Sequence, residues 1–191
     1  MSGRLWRLAL MILLALAPAW AQTAGIDPAL VARANAGDTA AEVRVGECYA
    51  AGQGVARDLT QAAEWYRRAA EKGDMAGELR LAALYRDGGK GFPRQMDQAA
   101  EWYRRAAEQG DAGAQGTLGL LYSIGQGVPQ DFAEAYYWLD LAAAAEGPMQ
   151  EQYAQNRQMA GAHITVDELE EIEERVAKWQ AAHPRPGKSQ H

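Results

Sequence analysis

The sequence predicts an all-α protein, an α-solenoid of stacked antiparallel helix pairs, and three observations carry that prediction. Ten residues, Ala62 to Glu71 (AAEWYRRAAE), return unchanged as Ala99 to Glu108 after a shift of 37, and a looser third copy follows around Tyr137-Trp138-Leu139 and Ala142 to Glu146. Self-similarity at such a period marks stacked supersecondary units that bury their apolar faces against one another. Each copy also opens on the same dipeptide, Gly37-Asp38, Gly73-Asp74 and Gly110-Asp111, a helix stop followed by a helix cap. The composition is rich in Ala, Glu and Arg, and few stretches gather the β-branched residues that a sheet needs.

Taken in order, the first 21 residues read as a signal peptide. Arg4 and Arg7 form a positive n-region, Leu8 to Ala17 an apolar core, and Ala19-Trp20-Ala21 a cleavage site, so the mature chain is expected to start near Gln22. That apolar core is far shorter than the ~20 residues that span a bilayer as a helix. The expected address is the periplasm or the outside of the cell. The formal net charge is −6, and −8 once Arg4 and Arg7 leave with the signal. Such an acidic chain is a poor match for nucleic acid, whose phosphates reward clustered Lys and Arg.

Residues 22–37 read as an N-terminal capping helix, with Asp27 as cap and Pro28 at the first helical position. Three repeats follow, 38–73, 74–110 and 111–147. The first helix of each runs from its Asp to Tyr49, Tyr85 and Tyr122. Val45, Leu81 and Leu118 form an apolar column, and Ala41, Gly77 and Ala114, then Gly46, Ala82 and Gly119, form small ones that admit a neighbouring helix. A glycine loop ends it: Gly52-Gln53-Gly54-Val55 and Gly125-Gln126-Gly127-Val128, with one extra residue in Gly88-Gly89-Lys90-Gly91-Phe92. No preceding strand supports a phosphate-binding reading, so left-handed backbone is its expected use.

The second helix starts at Asp58 and Asp131, each followed three residues later by Gln61 or Glu134 as in a capping box. The middle copy has Gln95 there, and its cap is expected to move to Asp97. Trp65, Trp102 and Trp138 share one position, expected in the core rather than in a ligand-binding stack. Glu64 with Arg68, and Glu101 with Arg105, are spaced for (i, i+4) ion pairs, and Arg67 and Arg104 for forward pairs with Glu71 and Glu108. Cys48, the single cysteine, aligns with Leu84 and Leu121; a small buried hydrophobe fits that column better than an intermolecular disulfide.

Residues 148–182 read as a C-terminal capping helix pair. Pro148 is expected to open a helix to about Ala160. Thr165 to Glu168 is a capping box, followed by a stripe of Leu169, Ile172, Val176 and Trp179. Residues 183–191 read as a disordered tail.

The succession Gly-Asp, small-Leu-Gly, Tyr, Gly-x-Gly-Val, Asp, Ala-x-x-Trp, Ala-Ala, Gly resembles the Sel-one-like repeat, a relative of the tetratricopeptide repeat, across Ala36 to Gly147. The resemblance implies a right-handed superhelix whose first helices line a concave surface. It implies binding rather than chemistry: periplasmic scaffolds, inhibitors of sensor proteins and factors of envelope assembly. A cysteine-rich branch credited with β-lactam binding or hydrolysis carries a cysteine pair in each repeat, which this chain lacks.

No catalytic or metal-binding constellation emerges. His163, His183 and His191 have no neighbouring ligand at zinc spacing, and Ser123 has no glycine elbow. No cofactor is implied. By analogy with tetratricopeptide geometry, the inward columns are Val43/Leu79/Gly116, Glu47/Ala83/Leu120 and Ala50/Arg86/Ser123. The expected partner-binding residues are therefore Val43, Glu47, Ala50, Leu79, Ala83, Arg86, Leu120 and Ser123. An apolar channel with a few charges suits a peptide or helix of another protein; the same residues could also be ordinary half-exposed positions over a narrow groove. The expected function is a non-catalytic, monomeric protein-binding module. The alternative is a cell-envelope or β-lactam-directed hydrolase, or its accessory subunit.

Overall fold

A computed structural model describes residues 25–184; the expected signal peptide and all of the expected tail beyond Pro184 lie outside the described residues. The elements are α1 (Pro28–Asn35), α2 (Thr39–Ala51), α3 (Leu59–Ala70), α4 (Met75–Asp87), α5 (Met96–Glu108), α6 (Ala112–Ile124), α7 (Phe132–Ala143), α8 (Gln150–Gly161) and α9 (Val166–Ala182). The pairs α2–α3, α4–α5 and α6–α7 are the three repeats. Each second helix is wedged between its own first helix and the first helix of the next unit.

The caps form where the Gly-Asp signals place them. Asp38, Asp74 and Asp111 each accept a hydrogen bond from the backbone N–H three residues on, at Ala41, Gly77 and Ala114. Asp58 and Asp131 cap α3 and α7 in the same way. Their own N–H groups donate to the carbonyls of Tyr49 and Tyr122, closing each pair from within rather than through a reciprocal capping box. In the middle copy the expected shift of the cap to Asp97 does not occur. Gln95 is the N-cap without a side-chain bond, its N–H on the Tyr85 carbonyl, and Asp97 sits in the first turn. That tertiary bond fixes the start of the helix whatever the cap residue. Pro148 likewise precedes its helix, which starts at Gln150.

The two small columns face different neighbours. A Cβ on Gly46 or Gly119 would meet the Tyr66 ring or Leu139 of its own second helix at 2.6 Å, while one on Gly77 would meet Ala69 of the preceding second helix at 2.8 Å. Between them Val45, Leu81 and Leu118 are completely or almost completely buried. The repeated ten residues serve contacts between units. Arg104 donates to the Tyr122 hydroxyl at 2.7 Å and Arg67 to that of Tyr85, each one repeat further on. Arg68 and Arg105 stack over Trp65 and Trp102 at 4.2 and 4.4 Å. Trp102 and Trp138 are buried and Trp65 is half-buried. Of the expected ion pairs, Arg105–Glu101 forms at 3.4 Å, whereas Arg67 and Arg104 turn back to Glu64 and Glu101. Arg68 leaves Glu64 for Glu42.

Glu42 belongs to a buried polar column, Glu42/Glu78/Gln115, at 0, 3 and 2 % exposure. Lys72 donates to both Glu42 carboxylate oxygens (2.8 and 2.9 Å), and Arg68 adds a contact at 3.1 Å. Glu78 receives the neutral Gln109 amide at 2.6 Å, and burial pushes its carboxyl above the usual range. Gln115 donates to the Ala107 carbonyl. The positions of Arg68 and Lys72 become Leu141 and Ala145 in the third copy, and Trp179 of α9 reaches the same place. The column loses its charge where α9 covers it.

The helix α9 rests on α7, not on α8. Tyr137 replaces the Glu64/Glu101 position, and Ile172 and Val176 join it in the core. Arg175 stacks on Tyr137 at 4.3 Å and pairs with Glu134 at 2.7 Å. The helix α8 continues the row of first helices; its Arg157 pairs with Asp140, which stands where Arg67 and Arg104 do. His183 closes α9 by stacking on Trp179 at 4.1 Å.

Candidate functional site: the face of the first helices

The helices α2, α4 and α6 present aligned turns, and the columns predicted to line the groove divide into packed and open ones. Val43 is 7 % exposed and belongs to the core, and Leu79 is half-buried against it. Gly116 lies under the Tyr153 ring of α8, where a Cβ would come within 2.2 Å. This first column is therefore the seam between successive first helices, not an unpacked groove wall. Glu47 and Ala83 are half-buried, and Leu120 is 39 % exposed with Ile124 one turn on at 64 %.

The last column closes the loop edge. Ala50, Arg86 and Ser123 are half-buried, and their carbonyls accept from Arg57 Nε (2.9 Å), Arg94 Nε (2.8 Å) and Gln130 Nε2 (2.8 Å). The Ser123 hydroxyl donates to the Gly119 carbonyl, a packing role. Arg86 pairs with Asp87 at 2.7 Å, and that hydrogen bond holds the Asp87 carboxyl below its ordinary range.

The open ridge between these columns is Arg44/Arg80/Thr117, with both arginines exposed. Sequence reasoning missed it by one residue. The signal was present: a charge at the same register in two copies cannot belong to a dry seam. Arg80 pairs with Glu47 at 2.7 Å, bridging α4 to α2. A cavity of about 820 Å³ lies over α2, reaching from Ile26 and Leu30 to Asp74 and Ala76. Cys48 is half-buried on its wall rather than the small buried hydrophobe expected.

His163 stacks on Phe132 at 4.2 Å. Among the described residues no group of three His, Cys, Asp or Glu could hold a metal ion, and no helix is long and apolar enough to cross a membrane. What the face offers is a shaped surface, charged at one end and apolar at the other.

The Sel1 repeat family matches residues 39–74, 76–111 and 112–146, the three helix pairs described above. Among solved structures the chain is similar to a Sel1 repeat protein from Oxalobacter formigenes, at 35% identity and a TM-score of 0.53, over 56% of this chain and 44% of that one. It is also similar to c5321, a protective antigen present in uropathogenic Escherichia coli strains and displaying an SLR fold. There the identity is 23% and the TM-score 0.43, over 80% of this chain and 47% of that one. The chain thus matches less than half the length of either structure. No curated protein matches it.

Proposed function

The chain belongs to the Sel1 repeat family, whose members generally bind other proteins, and from that membership we propose that it is a non-catalytic interaction module of the periplasm or the cell exterior. In this reading it acts as a scaffold or regulator, holding a segment of a partner protein against α2, α4 and α6. The observation that carries the reading is the exposed apolar pair Leu120 and Ile124, on the same face of the first helices as the exposed Arg44 and Arg80. The n-region, apolar core and Ala19-Trp20-Ala21 motif support the address.

The double variant Leu120→Glu, Ile124→Glu tests it. Both side chains are exposed, so melting should change by no more than an ordinary surface substitution does, ~0.5 kcal/mol per site. Quantitative mass spectrometry of proteins captured from the envelope fraction of source cells should show a partner depleted about tenfold or more with the variant. An identical set of captured proteins would count against this face.

A further inference from the structure

The cavity over α2 carries a surplus of negative charge. Its lining holds three carboxylates, Asp27, Glu47 and Asp74, and two arginines, Arg33 and Arg44. Glu47 is neutralised by Arg80, and Arg33 by Asp38, which leaves Asp27 and Asp74 against the one exposed Arg44. Both of these acids are held by neutral donors alone. Asp27 accepts from Ala29 N, and Asp74 from Gly77 N and Thr39 Oγ1. The described chain begins at the same place. Gly25 lines the cavity, and its carbonyl lies so close to the first glycine loop that a Cβ on Gly54 would come within 2.7 Å of it.

We propose that this cavity seats the chain's own processed N-terminus, residues 22–24, with the Gln22 ammonium on Asp27 and Asp74. This rests on the export reading above, in which the signal is cut after Ala21. Cleavage there turns a neutral peptide N–H into an ammonium, and that single positive charge balances the cavity. Three residues of extended chain span about 10 Å, so the Gln22 nitrogen reaches well into a cavity of about 820 Å³ from Gly25 on its wall. An ammonium offers only donors and a carboxylate only acceptors, and charge-assisted hydrogen bonds of this kind are the strong ones. A tethered amine also outcompetes a lysine of another protein, because a short link holds it at an effective concentration in the millimolar range. Asp27 caps α1 and Asp74 caps α4, so the docked terminus ties the capping helix to the first two repeats, a tie that the uncut precursor cannot make.

The protein purified after export from its source cells tests this, by intact mass and then by zero-length carbodiimide coupling, which joins an amine to a carboxylate in contact with it. Intact mass should place the first residue at Gln22. Peptide mass spectrometry should then find Gln22 joined to Asp74. Acetylation of the α-amine should run about tenfold slower than in the unfolded chain, the effect of raising its pKa by one unit. Asp27→Asn with Asp74→Asn should return acetylation to the unfolded rate while the helices stay capped, since Asn caps as well as Asp. A retained signal overturns the export reading and the proposal with it. No coupling to Asp74, with acetylation at the unfolded rate, overturns the proposal alone and leaves the cavity to a partner's segment. Gln22 found cyclised to pyroglutamate, with ammonia lost and no amine left, overturns it as well. A Gln22–Asp74 link confined to covalent dimers overturns it in favour of the N-terminus of a second copy.

Discussion

Gly127→Ala is expected to lower the thermal unfolding midpoint by about 10 °C, corresponding to about 3 kcal/mol in a chain of this size. Gly127 has φ +75°, and a Cβ there would lie 2.1 Å from the Met96 carbonyl oxygen and 2.4 Å from its carbon. Two penalties therefore add. A left-handed backbone disfavours any side chain, and the atom in the way is main chain at the start of α5, which cannot turn aside. In the first copy a Cβ on Gly54 would lie 2.7 Å from the Gly25 carbonyl oxygen, so both glycine loops sit against the backbone of a preceding segment as well as turning the chain. Gly91→Ala supplies the control, since φ is +78° and nothing lies within 4 Å of its Cβ. It should cost only the backbone term, about 1 kcal/mol. Equal melting of the two variants would mean that close approach to Met96 contributes nothing.

Removing both cations over Glu42, as Arg68→Met with Lys72→Met, should destabilise the protein by about 3 kcal/mol. A carboxylate with no exposure would be left without its counter-charges. The figure is at the lower end for buried pairs because the Arg68 and Lys72 side chains are 40 % and 42 % exposed, and water already reaches them. Adding Glu42→Gln should restore most of the loss, since the third copy already has Gln115 with Leu141 and Ala145 in this arrangement. Glu78 predicts the opposite sign. Its folded-state carboxyl is raised by burial, so its contribution is complete below the unfolded carboxyl value and is lost as pH rises through the folded one. Glu78→Gln should therefore melt higher than wild type at neutral pH, with the gap closing on acidification; denaturation at a series of pH values reads both effects.

Most of the architecture was legible because it is written in repeats. The Gly-Asp pairs, the Tyr column and the small columns each state a local requirement, a cap, a closing carbonyl or a close approach, and each is met. What escaped was the meaning of differences between copies. Glu42, Glu78 and Gln115 look like surface residues one at a time, since acids are seldom buried. Only the packing of α3, α5 and α9 over them shows a column whose charge fades as its cover becomes apolar. Arg68 was assigned to Glu64 by helical spacing, but a buried carboxylate in the neighbouring helix competes better than an exposed one in the same helix. The packing of the Val43/Leu79/Gly116 column escaped for a related reason: helix periodicity locates a face, whereas the burial of Val43 and the lid of Tyr153 on Gly116 are tertiary.

Site-specific photo-cross-linking in living source cells tests the central claim most directly. A photoreactive residue is placed at Arg44, Ala83 or Leu120 on the row of first helices, and at the exposed positions Glu71, just past the end of α3, or Glu101 of α5. The account predicts one shared partner protein joined from all three first-helix positions and from neither of the others. Cross-links to that partner arising from Glu71 and Glu101 alone would place recognition on the opposite side of the solenoid and contradict it.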